Sequence, residues 1–255
     1  MHIDNTKLPI LLSTIILCAV LLQSCQQPHQ ANSSELLLAA ASSLTPVGPA
    51  LASTFQSSSG ITVRFSFGAT GNLEQQIRQG APFDIFLPAA PVNARSLQNE
   101  GFTEDALTIF AVGRLAAWSK SLTLQSMDDL RQPSISRIAL ANPRFAPYGL
   151  AAEQALKSAG LWEAVRPKLV FAENIYHAFQ MAETGNADVA LVSLASVLNS
   201  GFHYLLVDSN LHAPLQQTAV VIRSSQNLPA ASAFVEFLQS EPAQRILLAY
   251  GFEHP

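Results

Sequence analysis

Ile61-Thr62-Val63-Arg64-Phe65-Ser66-Phe67-Gly68-Ala69-Thr70-Gly71-Asn72-Leu73 is a β-rich run that enters a turn bracketed by two glycines and leaves it as a helix. β-Branched and aromatic residues suit a pleated strand, and glycine permits φ > 0 or a close backbone approach in the turn. The same order of strand, turn and helix recurs along the chain. Residues 35–39, 61–67, 83–87, 137–141, 168–172 and 188–194 read as strands, and residues 47–55, 72–79, 92–99, 149–158, 175–183 and 230–239 as helices. This alternation predicts an α/β fold with mixed, mostly parallel sheets.

Two segments break the rhythm. Residues 109–118 are apolar except at Gly113-Arg114, and the β-rich residues 217–222 follow a loop around Pro214. Either can cross between lobes. The expected division is a first lobe opened by residues 35–112, a second lobe over 113–216, and a return to the first over 217–255. Ligands of open α/β sheets bind beyond the carboxyl ends of strands, where four junctions fall: Ala40-Ala41-Ser42-Ser43-Leu44-Thr45, Phe67-Gly68-Ala69-Thr70-Gly71-Asn72, Asn142-Pro143-Arg144-Phe145-Ala146-Pro147-Tyr148-Gly149 and Ala172-Glu173-Asn174-Ile175.

Helix starts leave backbone N–H groups unpaired and carry the positive end of the helix dipole, so such junctions attract anions. Ser43 offers a hydroxyl and an amide together, and Thr70 offers the same pair between its glycines. A plain capping role is the alternative for each: Ser43 or Thr45 capping the next helix with Pro46 early in it, and Asn72 capping the helix after Gly71. At the third junction the Tyr148 amide is free to point outward. At the fourth, Asn174 resembles an N-cap and leaves the Ile175 N–H without a helical acceptor. Asp84, internal to a strand, is expected to bind backbone.

The N-terminus reads as a processed leader. Residues 8–22 are an apolar run too short to span a bilayer comfortably, preceded by Lys7 as the one basic side chain. Leu22-Gln23-Ser24-Cys25 resembles the lipobox of bacterial lipoproteins, which implies a signal peptide over 1–24, lipidation of Cys25 and a polar tether over 25–34. The chain has two cysteines. Cys18 falls in the leader and Cys25 would carry lipid, so the folded body holds no disulfide, thiol nucleophile or cysteine metal site. With 49% hydrophobic and 13% charged residues and a net charge of −4, the composition suits a compact body and gives no basic footprint for nucleic acid. There is no G-x-S-x-G elbow, no H-E-x-x-H helix and no histidine cluster, which leaves little case for a hydrolase.

Taken together, the junctions resemble the molybdate-binding proteins of bacterial ABC importers, within the periplasmic binding protein class. The resemblance extends through Gly80-Ala81-Pro82-Phe83-Asp84-Ile85-Phe86, Glu183-Thr184-Gly185-Asn186-Ala187-Asp188 and Tyr250-Gly251-Phe252. It implies a two-lobed fold with a cleft between lobes. It also implies oxyanion contacts from the hydroxyls of Ser43 and Thr70 and the backbone of Tyr148 and Ile175, with Ser193 standing where some members use a tyrosine as a fifth contact. Thr70 replaces the usual serine, and Leu87-Pro88-Ala89-Ala90 replaces a serine followed by an acidic residue. The implied ligand is molybdate or tungstate, acting as cargo with no cofactor and no direct protein–cation ligands. The implied partners are an inner-membrane ABC permease and the lipid anchor, with a monomeric, non-enzymatic protein held on the periplasmic side of the envelope. A receptor for another oxyanion such as sulfate is the alternative.

Overall fold

A computed structural model describes residues 35–104 and 107–255. The leader read over 1–24 and the tether over 25–34, including Cys25, lie outside the described residues.

The described chain builds two five-stranded sheets, one in each of two lobes. Lobe 1 collects β1 (Glu35–Ala41), β2 (Thr62–Gly68), β3 (Ile85–Leu87), β4 (Thr108–Gly113) and β10 (Leu215–Val221) in the order β2-β1-β3-β10-β4. Lobe 2 collects β5 (Leu115–Trp118), β6 (Ile138–Ala141), β7 (Leu169–Ala172), β8 (Val189–Ser193) and β9 (Tyr204–Leu206) in the order β7-β6-β8-β5-β9. The plan is the same in both. Three strands run parallel, β2-β1-β3 and β7-β6-β8, and an antiparallel strand follows, β10 or β5. The apolar residues 109–118 therefore serve two sheets, with Arg114 alone between β4 and β5, and the chain returns between β9 and β10.

Helices α1 (Gly48–Ser59), α2 (Thr70–Arg78), α3 (Pro91–Asn99), α8 (Leu228–Gln239) and α9 (Glu241–Ala249) follow strands of lobe 1; α4 (Pro147–Ser158), α5 (Trp162–Val165), α6 (Ile175–Glu183) and α7 (Leu194–Val197) follow strands of lobe 2. Every residue of β5, β6 and β8 is buried, the signature of strands covered on both faces. Lobe 1 packs Leu36, Leu38, Leu51, Phe55 and Phe234 into one core, the last two edge to face at 5.0 Å. A second core cluster bridges the lobes, joining Ala41, Ala69 and Ala89 to Leu140, Tyr148 and Ile175. Asp84, read as internal to a strand, directly precedes β3, and it binds backbone as expected: its carboxylate accepts the Leu37 N–H of β1 at 2.7 Å, and also the Ser225 hydroxyl at 2.5 Å.

Several boundaries differ from the periodicity. α2 starts at Thr70 and α4 at Pro147, each two residues early, because helix starts are set by backbone geometry and proline suits the first position. α1 starts at Gly48, so Pro46 lies in the preceding turn and Pro49 takes the first helical turn. β9 and α9 go beyond the pattern: three residues are too few to show a period, and Pro242 breaks the helical reading at its start.

Candidate functional site

Level strand ends bring the junctions together. β1 and β2 finish with Ala41 opposite Gly68, and β6 and β7 finish with Ala141 opposite Ala172. In each lobe the turns that follow are therefore neighbours. The two pairs face one another across a small cavity lined by Ser42, Ser43, Thr70 and Ala89 from lobe 1 and by Pro147, Tyr148 and Ile175 from lobe 2. No lining residue carries a charge.

Ser43 lies in a 3-10 turn, Ser42–Leu44, directly after β1, and is fully buried. Its Oγ donates to Gln217 Oε1 at 3.2 Å. Neither Ser43 nor Thr45 caps α1, whose N-cap is Val47 without a side-chain bond. Thr70 is the first residue of α2, with Ala69 as N-cap, so Asn72 is inside the helix and caps nothing. Thr70 Oγ1 accepts the Ala89 N–H at 3.3 Å. A hydroxyl that accepts there keeps its proton to give elsewhere. Behind it, Arg78 pairs with Glu74 of its own helix and fastens α2 to the end of α3 through Glu100, each at 2.7 Å, and this guanidinium holds the Glu100 carboxyl below the usual carboxylate range.

Gly71 does not use the positive φ that its turn suggested. Its N–H donates across the lobes to Phe145 O at 2.8 Å, and a Cβ there would stand 3.2 Å from both Phe145 Cα and O. Glycine suits this position because one lobe's backbone meets the other's closely. A second bond crosses nearby, from Tyr176 N–H to Ser42 Oγ at 3.4 Å.

On the lobe 2 side, Asn174 caps α6 by accepting the His177 N–H at 2.9 Å, which leaves Ile175 as the first helical residue. Tyr148 occupies the first turn of α4 after Pro147. Neither N–H has an acceptor within its helix. Both side chains are buried in the core cluster that bridges the lobes. Ser193, expected at the site, is buried at the end of β8 and is not among the cavity-lining residues; its Oγ lies 3.4 Å from Tyr148 Oη. Burial pushes the Tyr148 phenol up to about 12.

Three contributors escaped the sequence reading: Ser42, Ala89 and Gln217. Gln217 had a usable signal, a carboxamide at the head of an otherwise apolar β segment, and it proves to be fully buried. Among the described residues no group of three or more His, Cys, Asp or Glu side chains could hold a metal ion. The arrangement supplies hydroxyl and N–H donors without formal charge. That suits a ligand that accepts hydrogen bonds and brings its own negative charge.

A sequence profile of bacterial extracellular solute-binding proteins matches residues 36–253. The molybdate-binding protein of Azotobacter vinelandii is 36% identical over 234 residues, covering 87% of this chain and 91% of that protein. The molybdate-binding protein of Rhodobacter capsulatus is 32% identical over 225 residues, covering 87% and 89%. A solved structure of an Azotobacter vinelandii periplasmic molybdate-binding protein superposes with a TM-score of 0.83 at 28% identity, covering 86% of this chain and 99% of that one.

Proposed function

This chain belongs to the bacterial extracellular solute-binding protein family, non-enzymatic components of solute transport, and from that premise we propose that it captures molybdate, and tungstate with it, for an ABC importer. The observation that carries the reading is the neutral, donor-rich cavity between Ser43, Thr70, Tyr148 and Ile175. Molybdate and tungstate are deprotonated tetrahedral dianions at neutral pH and only accept hydrogen bonds. Hydroxyls and helix-start amides match them without a buried cation and its desolvation cost. Hydrogen phosphate keeps a proton that needs an acceptor, and no carboxylate lines the cavity to take it.

In this reading Ser43 and Thr70 bind through hydroxyls, and Tyr148 and Ile175 through backbone N–H groups. The protein works at the periplasmic face of the envelope, held by lipid on Cys25, and hands its cargo to a membrane permease as a monomer. Titration calorimetry of ligand-stripped protein with molybdate, tungstate, sulfate and phosphate tests the assignment. Molybdate and tungstate should bind tightest and raise the melting temperature, since a ligand selective for the folded form stabilises it by mass action. A clear response to sulfate with none to molybdate overturns the reading in favour of a sulfate receptor. The anchor is tested separately: Cys25→Ala should move the protein out of the membrane fraction, and unchanged fractionation would remove the lipid.

A further inference from the structure

The two hydroxyls that lobe 1 brings to the cavity are held in opposite ways. Thr70 Oγ1 accepts the Ala89 N–H, so a lone pair is engaged there and the proton is not. Ser43 Oγ donates to Gln217 Oε1 at 3.2 Å, so its single proton is engaged. Which end of the Gln217 carboxamide faces Ser43 follows from its other bond. Nε2 donates to Leu215 O at 2.9 Å, and a carbonyl oxygen can only accept, so the amide nitrogen is fixed there and the amide oxygen is turned to Ser43.

The backbone around Gln217 builds this orientation. β10 shifts register against β4 between Gln217 and Thr218, an irregularity of the kind that re-aims a side chain. Gly113 pairs with Leu215 on the neighbouring strand, and a Cβ on it would stand 3.2 Å from Gln217 Nε2, so glycine leaves the carboxamide its room. Ser43 and Gln217 are both fully buried. An acceptor deprived of its donor at such a place loses a bond that bulk solvent does not replace.

We infer that Gln217 is a positioning residue that acts through Ser43 as a brake on affinity: its amide oxygen competes with the bound oxyanion for one serine proton. The inference rests on the reading that the Ser43 hydroxyl binds the oxyanion. A charged acceptor prevails over a neutral amide oxygen, because hydrogen bonds to ionised groups are the stronger. The proton then turns from Gln217 to the ligand, and Gln217 Oε1 is left buried without a donor. Each binding event carries that penalty, and each release returns it. A transport receptor has to let its cargo go, and a competitor built into the protein shortens the time for which it holds on.

Molybdate affinity of the full chain, measured by calorimetry, tests the brake. Gln217→Met keeps the length of the side chain and removes the acceptor, so the Ser43 proton is uncontested. Affinity should rise about five- to thirtyfold, the equivalent of one buried acceptor no longer left unsatisfied on binding. In a Ser43→Ala background the same substitution should change affinity less than about twofold, because the contested proton is gone. Damage to strand order or packing would weaken binding, so a gain that vanishes with the Ser43 hydroxyl is not a structural side effect. Melting curves without ligand establish that each variant folds; where Gln217→Met does not, Gln217→Leu is measured in its place. Equal or weaker binding by the folded variant, or the same gain in the Ser43→Ala background, overturns the brake and leaves the site standing. A folded Ser43→Ala variant that binds as tightly as wild type overturns the site reading itself, and the brake with it.

Discussion

In lobe 1 the level ends of β1 and β2 carry Ser43 and Thr70, whereas the corresponding ends of β6 and β7 in lobe 2 lead to Tyr148 and Ile175. The strand plan is shared, yet the donors of the proposed site differ in kind. Lobe 1 presents side-chain hydroxyls, each steadied by a protein partner: Gln217 for Ser43 and the Ala89 N–H for Thr70. Lobe 2 presents N–H groups of helix first turns, and its side chains at those positions are committed to the core. In lobe 1 residue identity carries the chemistry. In lobe 2 the placement of a helix carries it, and a wide choice of side chains would serve.

The sharpest way to break this contrast is to delete a lobe 2 donor without moving its helix. Ile175→Pro does so, since proline lacks the N–H and fits the first helical position. Asn174, at φ −147° and ψ 175°, already has the extended conformation a residue before proline requires. Molybdate affinity should fall about a hundredfold, the upper range for a lost bond to a charged acceptor, while circular dichroism retains the helix. Wild-type affinity in a folded variant would take Ile175 out of the site. Ser43→Ala and Thr70→Ala come next, each weakening binding by about 1.5 to 3 kcal/mol with the fold preserved. A folded variant with full affinity would reduce that hydroxyl to a structural role.

A third effect concerns stability, and it belongs to Tyr148. Its phenol is raised from 10 to about 12, so the folded state holds a proton that the unfolded state releases first. The associated stability is fully present below pH 10 and is lost as pH rises toward 12, to the extent of about 2 to 3 kcal/mol. Denaturant titrations at pH 9 and pH 11.5 should show this loss in wild type and a smaller one in Tyr148→Phe. Identical pH dependence in the two would mean that the phenol titrates as if exposed.

Much of this was legible because it is local. Asn174 reads as a cap and acts as one, which fixes the Ile175 amide from two adjacent residues. The four junctions were visible for the same reason, each lying within a few residues of a strand end. What sequence did not reveal is held by distant pairs. Gln217 meets Ser43 across 174 positions, Gly71 owes its lack of a side chain to Phe145 in the other lobe, and Ser193 reaches the site region through Tyr148. No periodicity records such partners. Helix starts also shifted at Thr70 and Pro147, because the first turn is decided by backbone geometry and not by the apolar stripe that begins after it.

The smallest expected change sharpens the comparison most. Ile175 is 3% exposed and packed in the cluster that bridges the lobes. Ile175→Val removes one buried methylene, keeps a β-branched residue and leaves the N–H where it was. Such substitutions cost about 0.5 to 1.5 kcal/mol of stability, and molybdate affinity should stay within about twofold of wild type. Ser43→Ala should give a different pairing, with affinity lost together with some stability, because the buried Gln217 Oε1 loses its donor. The two kinds of donor would then separate along two measured axes: losing a lobe 1 hydroxyl moves binding most, and trimming the Ile175 side chain with its N–H kept moves stability alone. If Ile175→Val lowers affinity as much as Ser43→Ala does, the side chain and not the amide is what lobe 2 offers the ligand, and the division between hydroxyl and backbone donors falls.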